Sequence, residues 1–179
     1  ARIVPVKVFY NYSFTTADRL AQAIRWAAGV SVSGVSANAN PAKVINLSLG
    51  TTADSQAVRE AVVAAQDRGA LLVAAAGNAG HTGQGVLYPA KYAGVVAVGS
   101  VNSDLERSCF SNTGPEIDVM APGGDGVICS ADAEAVLSTI PYGEYGTLIG
   151  TSQAAPLVAG VAALIWSANT GLSAAQVEQ

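Results

Sequence analysis

Apolar residues in this chain occur as continuous runs, and stretches with helical spacing separate the runs. Four runs predict strands, at residues 3–9, 44–48, 70–76 and 94–101. Because they are continuous rather than alternating, they are typical of parallel strands that are covered on both faces. Residues 117–120 and 135–139 are shorter strand candidates within stretches rich in Gly, Ser, Asn and Pro.

Helical spacing follows the first and second runs. One predicted helix begins at residues 16–18 and continues to Ala28, and another begins at residues 54–55 and ends near Gly69. A third spans residues 151–167. Strands that alternate with helices indicate βαβ units. We therefore predict an α/β fold, a three-layer α/β/α sandwich with a mostly parallel sheet.

Composition narrows the class of protein. The chain has 179 residues, enough for one domain, and 50% of them are hydrophobic. The net charge is −4 and no cluster of Lys or Arg occurs, so we expect no nucleic-acid partner. The richest apolar run, residues 154–168, contains Pro156 and is shorter than the roughly 20 residues that span a bilayer. It predicts a buried helix and no membrane partner.

The two cysteines, Cys109 and Cys129, leave two interpretations open. They are either reduced core residues or a disulfide that closes a loop of about 20 residues. No Cys-x-x-Cys pair or Cys/His cluster occurs, so we predict no metal site and no required cofactor.

The segment 150–160, GTSQAAPLVAG, places a hydroxyl at the start of an apolar helix. Ser152 there would lie near unpaired backbone N–H groups and the positive end of the helix dipole, which suits a nucleophile whose reaction builds an oxyanion. The alternative is that Thr151 or Ser152 is only an N-cap residue.

Two further segments end predicted strands. Asn78 follows the run 70–76 and could donate a neutral amide hydrogen bond to an oxyanion, or it could be an ordinary turn residue. Ser48, Leu49 and Gly50 could present extended backbone to a peptide, or they could simply lead a strand into a turn.

Taken together and in this order, these segments resemble the C-terminal part of the catalytic domain of subtilisin-like serine proteases, the subtilases of peptidase family S8. The blocks that carry the resemblance are residues 44–50, 74–80, 88–92, 95–99, 110–111, 117–123 and 150–160. The resemblance implies a subtilisin-like fold and a secreted endopeptidase, extracellular or periplasmic, that acts on protein or peptide substrates. Secretion would also favour the disulfide.

Carried over by position, the resemblance makes Ser152 the nucleophile. Asn78 becomes the oxyanion-binding side chain, together with the Ser152 backbone N–H. The substrate-binding groove is assigned to two sets of residues. They are Ser48, Leu49 and Gly50 on one side, and Ala75, Ala76 and Gly77 on the other.

The resemblance fails at two of the three catalytic positions. In this family the order is Asp, His, Ser, so the first two would precede Ala1. We therefore expect residues 1–179 to be a partial catalytic domain whose N-terminal part is missing, inactive by itself; a missing N-terminal half or pro-segment would be a partner. A non-catalytic pseudo-protease or peptide-binding fragment is the alternative. The only histidine, His81, lies in a Gly-rich loop with no Asp placed to orient it.

Two other positions depart from the family pattern. Gln153 stands where the family usually has Met. A family calcium loop would use the carbonyls of Ala90, Tyr92 and Val95, but Asn102 replaces a common Asp, and losing that charge weakens a site for a hard cation. We expect no strong calcium site at this loop, while structural calcium elsewhere in the intact protein remains compatible with the resemblance.

Overall fold

The computed structural model of the chain describes residues 1–10, 14–126 and 135–179. The helices of this part are α1 (Ala17–Ala27), α2 (Gln56–Asp67), α3 (Thr151–Ala168) and α4 (Ala174–Glu178). Its strands are β1 (Val44–Leu47), β2 (Leu71–Ala75), β3 (Val95–Val101), β4 (Val119–Pro122), β5 (Val136–Ile140) and β6 (Glu144–Leu148).

The strands β1 to β4 form one parallel sheet in the order in which they occur along the chain. Val44 pairs with Leu71 at the start of β1 and β2, and Leu72 pairs with Val95 in the next ladder. The strands β5 and β6 form a separate antiparallel hairpin that leads directly into α3. The carboxyl ends of β1 and β2 therefore lie side by side.

Helices cover both faces of the parallel sheet. Leu72 and Ala74 of β2 belong to the core that α1 and α2 cover, whereas Leu71 and Val73 belong to the core beneath α3 and α4. Successive side chains of a strand point to opposite faces, so a continuous apolar run fills both cores. This arrangement confirms the predicted α/β/α sandwich and its mostly parallel sheet.

The boundaries of α1 and α2 follow from local chemistry. The Thr16 hydroxyl accepts a hydrogen bond from the Arg19 N–H at 3.2 Å and caps α1. Ser55 caps α2 through the Val58 N–H. Gly69, just beyond α2, has φ +76°, a backbone conformation that favours glycine.

The predicted strand at residues 3–9 is wrong. These residues pair with no strand of the described chain, and Ile3 is 87% exposed. Pro5 interrupts the run and has no N–H to donate to a ladder. The apolar pattern showed that the segment could form a strand, but it carried no information on whether a neighbouring strand lies within reach.

The prediction that the apolar run 154–168 forms a buried helix is only partly right. Ala154, Ala155 and Trp166 of α3 are buried against the sheet, but Leu157, Val161 and Leu164 are exposed. The helix has 18 residues and is long and apolar enough to cross a membrane by length and composition alone. The core helix of a globular domain can have the same length and composition, and α3 packs against β1–β4.

The two shorter strand candidates and Cys109 can also be compared with the sequence predictions. The candidate at 117–120 forms β4 about two residues later, and 135–139 forms the first half of a hairpin whose second strand the sequence did not indicate. Cys109 is in a disulfide, and Cys129 lies outside the described residues.

Candidate active site

Ser152 is the second residue of α3, and the residue before the helix is a glycine. Gly150 has φ +141°, and a Cβ on it would lie 3.0 Å from Asn78 Nδ2. The N-cap position is Gly150, which has no side chain to cap with, so the interpretation of Thr151 or Ser152 as an N-cap is wrong. Ser152 therefore lies in the first turn of α3 without capping the helix.

Ser152 lies against the end of the first strand. Its Oγ is 3.4 Å from the Ser48 carbonyl oxygen, and the Ser48 hydroxyl donates to the Ser152 carbonyl at 2.8 Å. The Ser152 N–H has no acceptor in the part of the chain that the structure describes, as expected for the first turn of a helix. An unpaired donor therefore lies beside the Ser152 hydroxyl.

Asn78 lies beyond the end of β2 and reaches the start of α3. Its Oδ1 accepts two hydrogen bonds from Thr151, one from the N–H at 2.9 Å and one from the hydroxyl at 2.8 Å. Its side chain thus bonds across 73 residues of sequence rather than within a local turn. Because two donors occupy Oδ1, the Nδ2 group is the end left to donate to a ligand.

Thr151 was not identified from the sequence as more than a possible cap, yet it connects the two segments. It is fully buried, and its hydroxyl also accepts from the Gly77 N–H at 3.1 Å. One side chain therefore fixes both the backbone before Asn78 and the orientation of the Asn78 amide. Its position directly before Ser152 was the only sequence signal.

The first predicted wall of the groove consists of Ser48, Leu49 and Gly50. The backbones of Leu49 and Gly50 make no hydrogen bond with the described residues. A pocket of about 490 Å³ opens beside this segment, with Phe9, Phe14 and Leu20 also contributing apolar surface. Free backbone next to an apolar pocket suits the binding of an extended peptide.

The second predicted wall differs in character. Ala75 and Ala76 have buried side chains, 3% and 0% exposed, and contribute backbone only. The carbonyl of Ala76 accepts from the Leu87 N–H at 3.0 Å, and the carbonyl of Gly77 accepts from the Asn112 N–H at 3.0 Å. With these groups already paired, this segment can form a surface but has little backbone left to pair with a ligand.

Leu87 lies between the two walls. A Cβ on Gly50 would lie 2.9 Å from the Leu87 Cβ, and a Cβ on Gly77 would lie 2.7 Å from its Cδ1. Both glycines therefore lie directly against the side chain of one leucine. Any larger residue at either glycine would have to displace Leu87.

A general base is not among the residues that surround Ser152 in the described chain. His81 lies in a short 3₁₀ turn at Gly80–Thr82, is exposed and makes no hydrogen bond with described residues. No group of three or more His, Cys, Asp or Glu residues that could hold a metal occurs in residues 1–10, 14–126 and 135–179.

The oxygens at the family calcium loop make local hydrogen bonds. Asn102 Oδ1 accepts from the N–H groups of Asp104 and Glu106, at 3.1 and 3.0 Å. The Tyr92 carbonyl accepts from the Val95 N–H at 3.2 Å. These oxygens therefore serve local turns.

Comparison with known proteins gives consistent matches along the whole chain. The sequence model described as the subtilase family (Peptidase_S8) matches residues 1–179. Subtilisin DY of Bacillus licheniformis is 47% identical over 149 residues, which cover 82% of this chain and 51% of that protein. An extracellular protease of Xanthomonas campestris pv. campestris is 42% identical over 187 residues, or 99% of this chain and 30% of the relative.

Solved structures agree with the sequence matches. A structure of proteases from Pseudoalteromonas arctica is similar with a TM-score of 0.90 at 41% identity, covering 99% of this chain and 54% of that one. A cold-adapted subtilisin-like serine proteinase gives a TM-score of 0.78 at 32% identity, covering 96% and 56%. The chain thus spans about half the length of these relatives, or less.

Proposed function

The chain belongs to the subtilase family, and on this premise we propose that it carries the nucleophile and the oxyanion-binding amide of a secreted serine endopeptidase. In the full-length protein, the Ser152 hydroxyl attacks the carbonyl carbon of a peptide bond and the amine leaves. Water then hydrolyses the resulting acyl-enzyme. The general base and its orienting carboxylate come from outside these 179 residues, so we expect the chain alone to be inactive.

One observation carries this proposal: two N–H donors at the start of α3 have no acceptor among the described residues. One is the Ser152 backbone N–H, and the other is the Nδ2 of Asn78, whose Oδ1 is held by Thr151 at 2.9 and 2.8 Å. Donors fixed before the reaction stabilise a developing negative charge without paying for reorganisation. An oxyanion formed at Ser152 would also lie at the positive end of the α3 dipole.

The groove supports a peptide rather than a small molecule as substrate. The unpaired backbones of Leu49 and Gly50 can add a substrate strand beside β1, as an extended peptide adds to a sheet edge. Leu87 fills the space between Gly50 and Gly77 and would shorten a side-chain pocket there. We propose a preference for medium-sized apolar residues before the cleaved bond; cleavage of a peptide library mainly after large basic residues would contradict it.

The remaining properties are consistent with such an enzyme. The chemistry needs no cofactor, because hydroxyl, amide and imidazole groups supply every step, although structural calcium in the intact protein is compatible with it. Net charge −4 disfavours nucleic acid as a partner, and we propose no membrane partner. Secretion is supported by the name of the Xanthomonas campestris relative, an extracellular protease.

The direct test is covalent labelling of Ser152. Treating the full-length protein with a fluorophosphonate should modify Ser152, as read by peptide mass spectrometry, and abolish peptide cleavage. Ser152→Ala should remove both the label and the activity. Ser167→Ala, an exposed serine at the other end of the same helix, should change neither. An active full-length protein that is unlabelled at Ser152 would refute the assignment.

One observation favours a second candidate, a pseudo-protease or peptide-binding module. No base lies within hydrogen-bonding distance of Ser152 among the described residues. The two candidate functions predict different sequences upstream of these 179 residues. A gene that encodes an Asp-Thr/Ser-Gly block and a His-Gly-Thr block upstream would support the peptidase, and a gene without them would support the binding module.

A further inference from the structure

A buried asparagine lies beneath the loop that carries Asn78. Asn112 is 1% exposed, and its side chain bonds only to backbone. Its Oδ1 accepts from the Ala79 N–H at 2.7 Å, and its Nδ2 donates to the carbonyls of Ala76 at 3.2 Å and Gly85 at 2.8 Å. Both amide hydrogens and the carbonyl oxygen are therefore used.

The three contacts bracket Asn78 along the chain. Ala76 precedes it by two residues and Ala79 follows it by one, so Asn112 fixes the backbone on both sides. The backbone N–H of Asn112 also donates to the Gly77 carbonyl at 3.0 Å. A Cβ on Gly77, where φ is +112°, would lie 2.4 Å from Asn112 Nδ2, so only glycine lets the amide come this close.

We propose that Asn112 is a positioning residue for peptide hydrolysis. This inference rests on the proposed function. Asn112 makes no hydrogen bond with Ser152; it holds residues 76–79 so that the Asn78 amide meets the oxyanion. Thr151, at the start of α3, orients the Asn78 side chain, and Asn112 fixes the backbone before and after Asn78.

The effect should appear in kcat rather than in KM. A donor that meets the oxyanion acts mainly in the transition state, so its displacement lowers kcat with little change in ground-state binding. A misplacement of about 1 Å can cost about 100-fold in rate. For Asn112→Ala in the full-length protein we expect kcat to fall by about 10-fold or more, with KM within about 2-fold.

Asn38 provides a matched control. Its Oδ1 accepts from the Asn40 N–H at 2.8 Å, and its Nδ2 donates to the carbonyls of Trp26 at 3.1 Å and Ala27 at 3.2 Å. Asn38→Ala removes the same set of three hydrogen bonds at the end of α1. It should lower the melting temperature and leave kcat unchanged. An equal loss of kcat in both variants would show that Asn112 acts through stability alone and would overturn the proposal.

A double mutant separates positioning from every other role. If Asn112 acts through Asn78, Asn78→Ala/Asn112→Ala should be no slower than Asn78→Ala alone, within about 2-fold. Additive losses would overturn the proposal. A wild-type protein that is unlabelled at Ser152, or an Asn78→Ala variant with full activity, would instead overturn the proposed function on which it rests.

Hydrogen exchange supplies a readout that does not depend on activity. The Ala79 amide should exchange faster in Asn112→Ala than in the wild type or in Asn38→Ala, since its acceptor is gone. Unchanged protection at Ala79 would overturn the proposed contact. If Asn112→Ala does not fold, Asn112→Ser, which keeps a polar group at the site, is measured in the same way with the same expectations.

Discussion

Asn78 depends on its neighbour Thr151 for the orientation of its amide. Exchanging the oxygen and nitrogen of Asn78 would set Nδ2 against the Thr151 N–H, which can only donate, so the bond at 2.9 Å selects one orientation. The hydroxyl of Thr151 adds a second bond and also accepts from the Gly77 N–H. The amide that we propose as the oxyanion donor is therefore fixed before any substrate binds.

Removing the Thr151 hydroxyl should slow the reaction. Thr151→Val keeps the shape and the backbone N–H but loses the bond to Asn78 Oδ1 and leaves the Gly77 N–H without its acceptor. We expect kcat of the full-length protein to fall about 10-fold, less than the 100- to 1000-fold that loss of an entire oxyanion donor costs in this family. Thr147→Val, on an exposed position of β6, is the control; equal kcat values for the two variants would contradict the orientation argument.

Gln153 carries a buried oxygen without a partner. Its Oε1 accepts no hydrogen bond in the described structure, and an unsatisfied buried acceptor costs about 1–3 kcal/mol. Gln153→Met should therefore raise the free energy of unfolding by about 1 kcal/mol, measured by urea denaturation. Gln56→Met, at an exposed position of α2, should change it by less than about 0.5 kcal/mol. A decrease for Gln153→Met would show that the oxygen has a partner in solution.

At the scale of elements, local chemistry predicted helices better than strands. Thr16, Ser55 and Gly69 identified the ends of α1 and α2 because capping depends on neighbouring residues. The strand at 3–9 was wrong because pairing depends on a distant partner, which periodicity does not report. The hairpin partner β6, EYGTL, lacks a continuous apolar run and gave no strand signal.

The candidate active site shows the same contrast between local signals and distant contacts. Ser152 and Asn78 could be proposed from the sequence because the segments around them resemble a known family and lie at the ends of predicted elements. Thr151 and Asn112 could not, because their roles depend on contacts with Asn78 and with Ala76 and Ala79 across many residues of sequence. A hydroxyl or an amide acquires such a role only through the fold, and no local pattern records it.

Tyr92 ties a loop to the start of α2 and makes its stability depend on pH. Its hydroxyl donates to Asp54 Oδ1 at 2.9 Å and accepts from the Ser55 N–H at 3.0 Å. Burial raises the pKa of Tyr92 above its ordinary value, although the Ser55 N–H lowers it in part. The unfolded chain therefore ionises first, near pH 10.

Stability should consequently fall as the pH rises from about 10 through the raised pKa of Tyr92. Tyr92→Phe should be less stable at pH 7, because it lacks the two hydrogen bonds, yet should lose less stability between pH 9 and pH 11. Urea denaturation at each pH measures this. The control Tyr142→Phe, at a residue 96% exposed, should follow the wild type. Parallel curves for wild type and Tyr92→Phe would contradict the account.

At the scale of the molecule, a hydrophobic core lies on each face of the parallel sheet. The outer face of α3, however, is apolar and exposed to solvent. Leu157, Val161, Leu164 and Ile165 are 43%, 56%, 71% and 39% exposed. An apolar face of this kind promotes association in a free chain. This face is a property of residues 1–179, which correspond to about half the length of the family relatives.

The isolated 179-residue chain should therefore self-associate through α3. Sedimentation should show oligomers or aggregates for the wild-type chain and a larger monomer fraction for Leu164→Lys, with helical content confirmed by circular dichroism. Leu105→Lys, at a residue that is 80% exposed in a loop, adds the same charge elsewhere and should not reduce association. A monomeric wild-type chain would contradict this prediction.

The measurement closest to the central claim is a crystal structure of the full-length protein with a peptide aldehyde. We predict a covalent bond from Ser152 Oγ to the aldehyde carbon. The former aldehyde oxygen should lie about 2.7–3.1 Å from both Asn78 Nδ2 and the Ser152 backbone nitrogen. An adduct on another residue, or an adduct on Ser152 whose oxygen points away from Asn78, would contradict it.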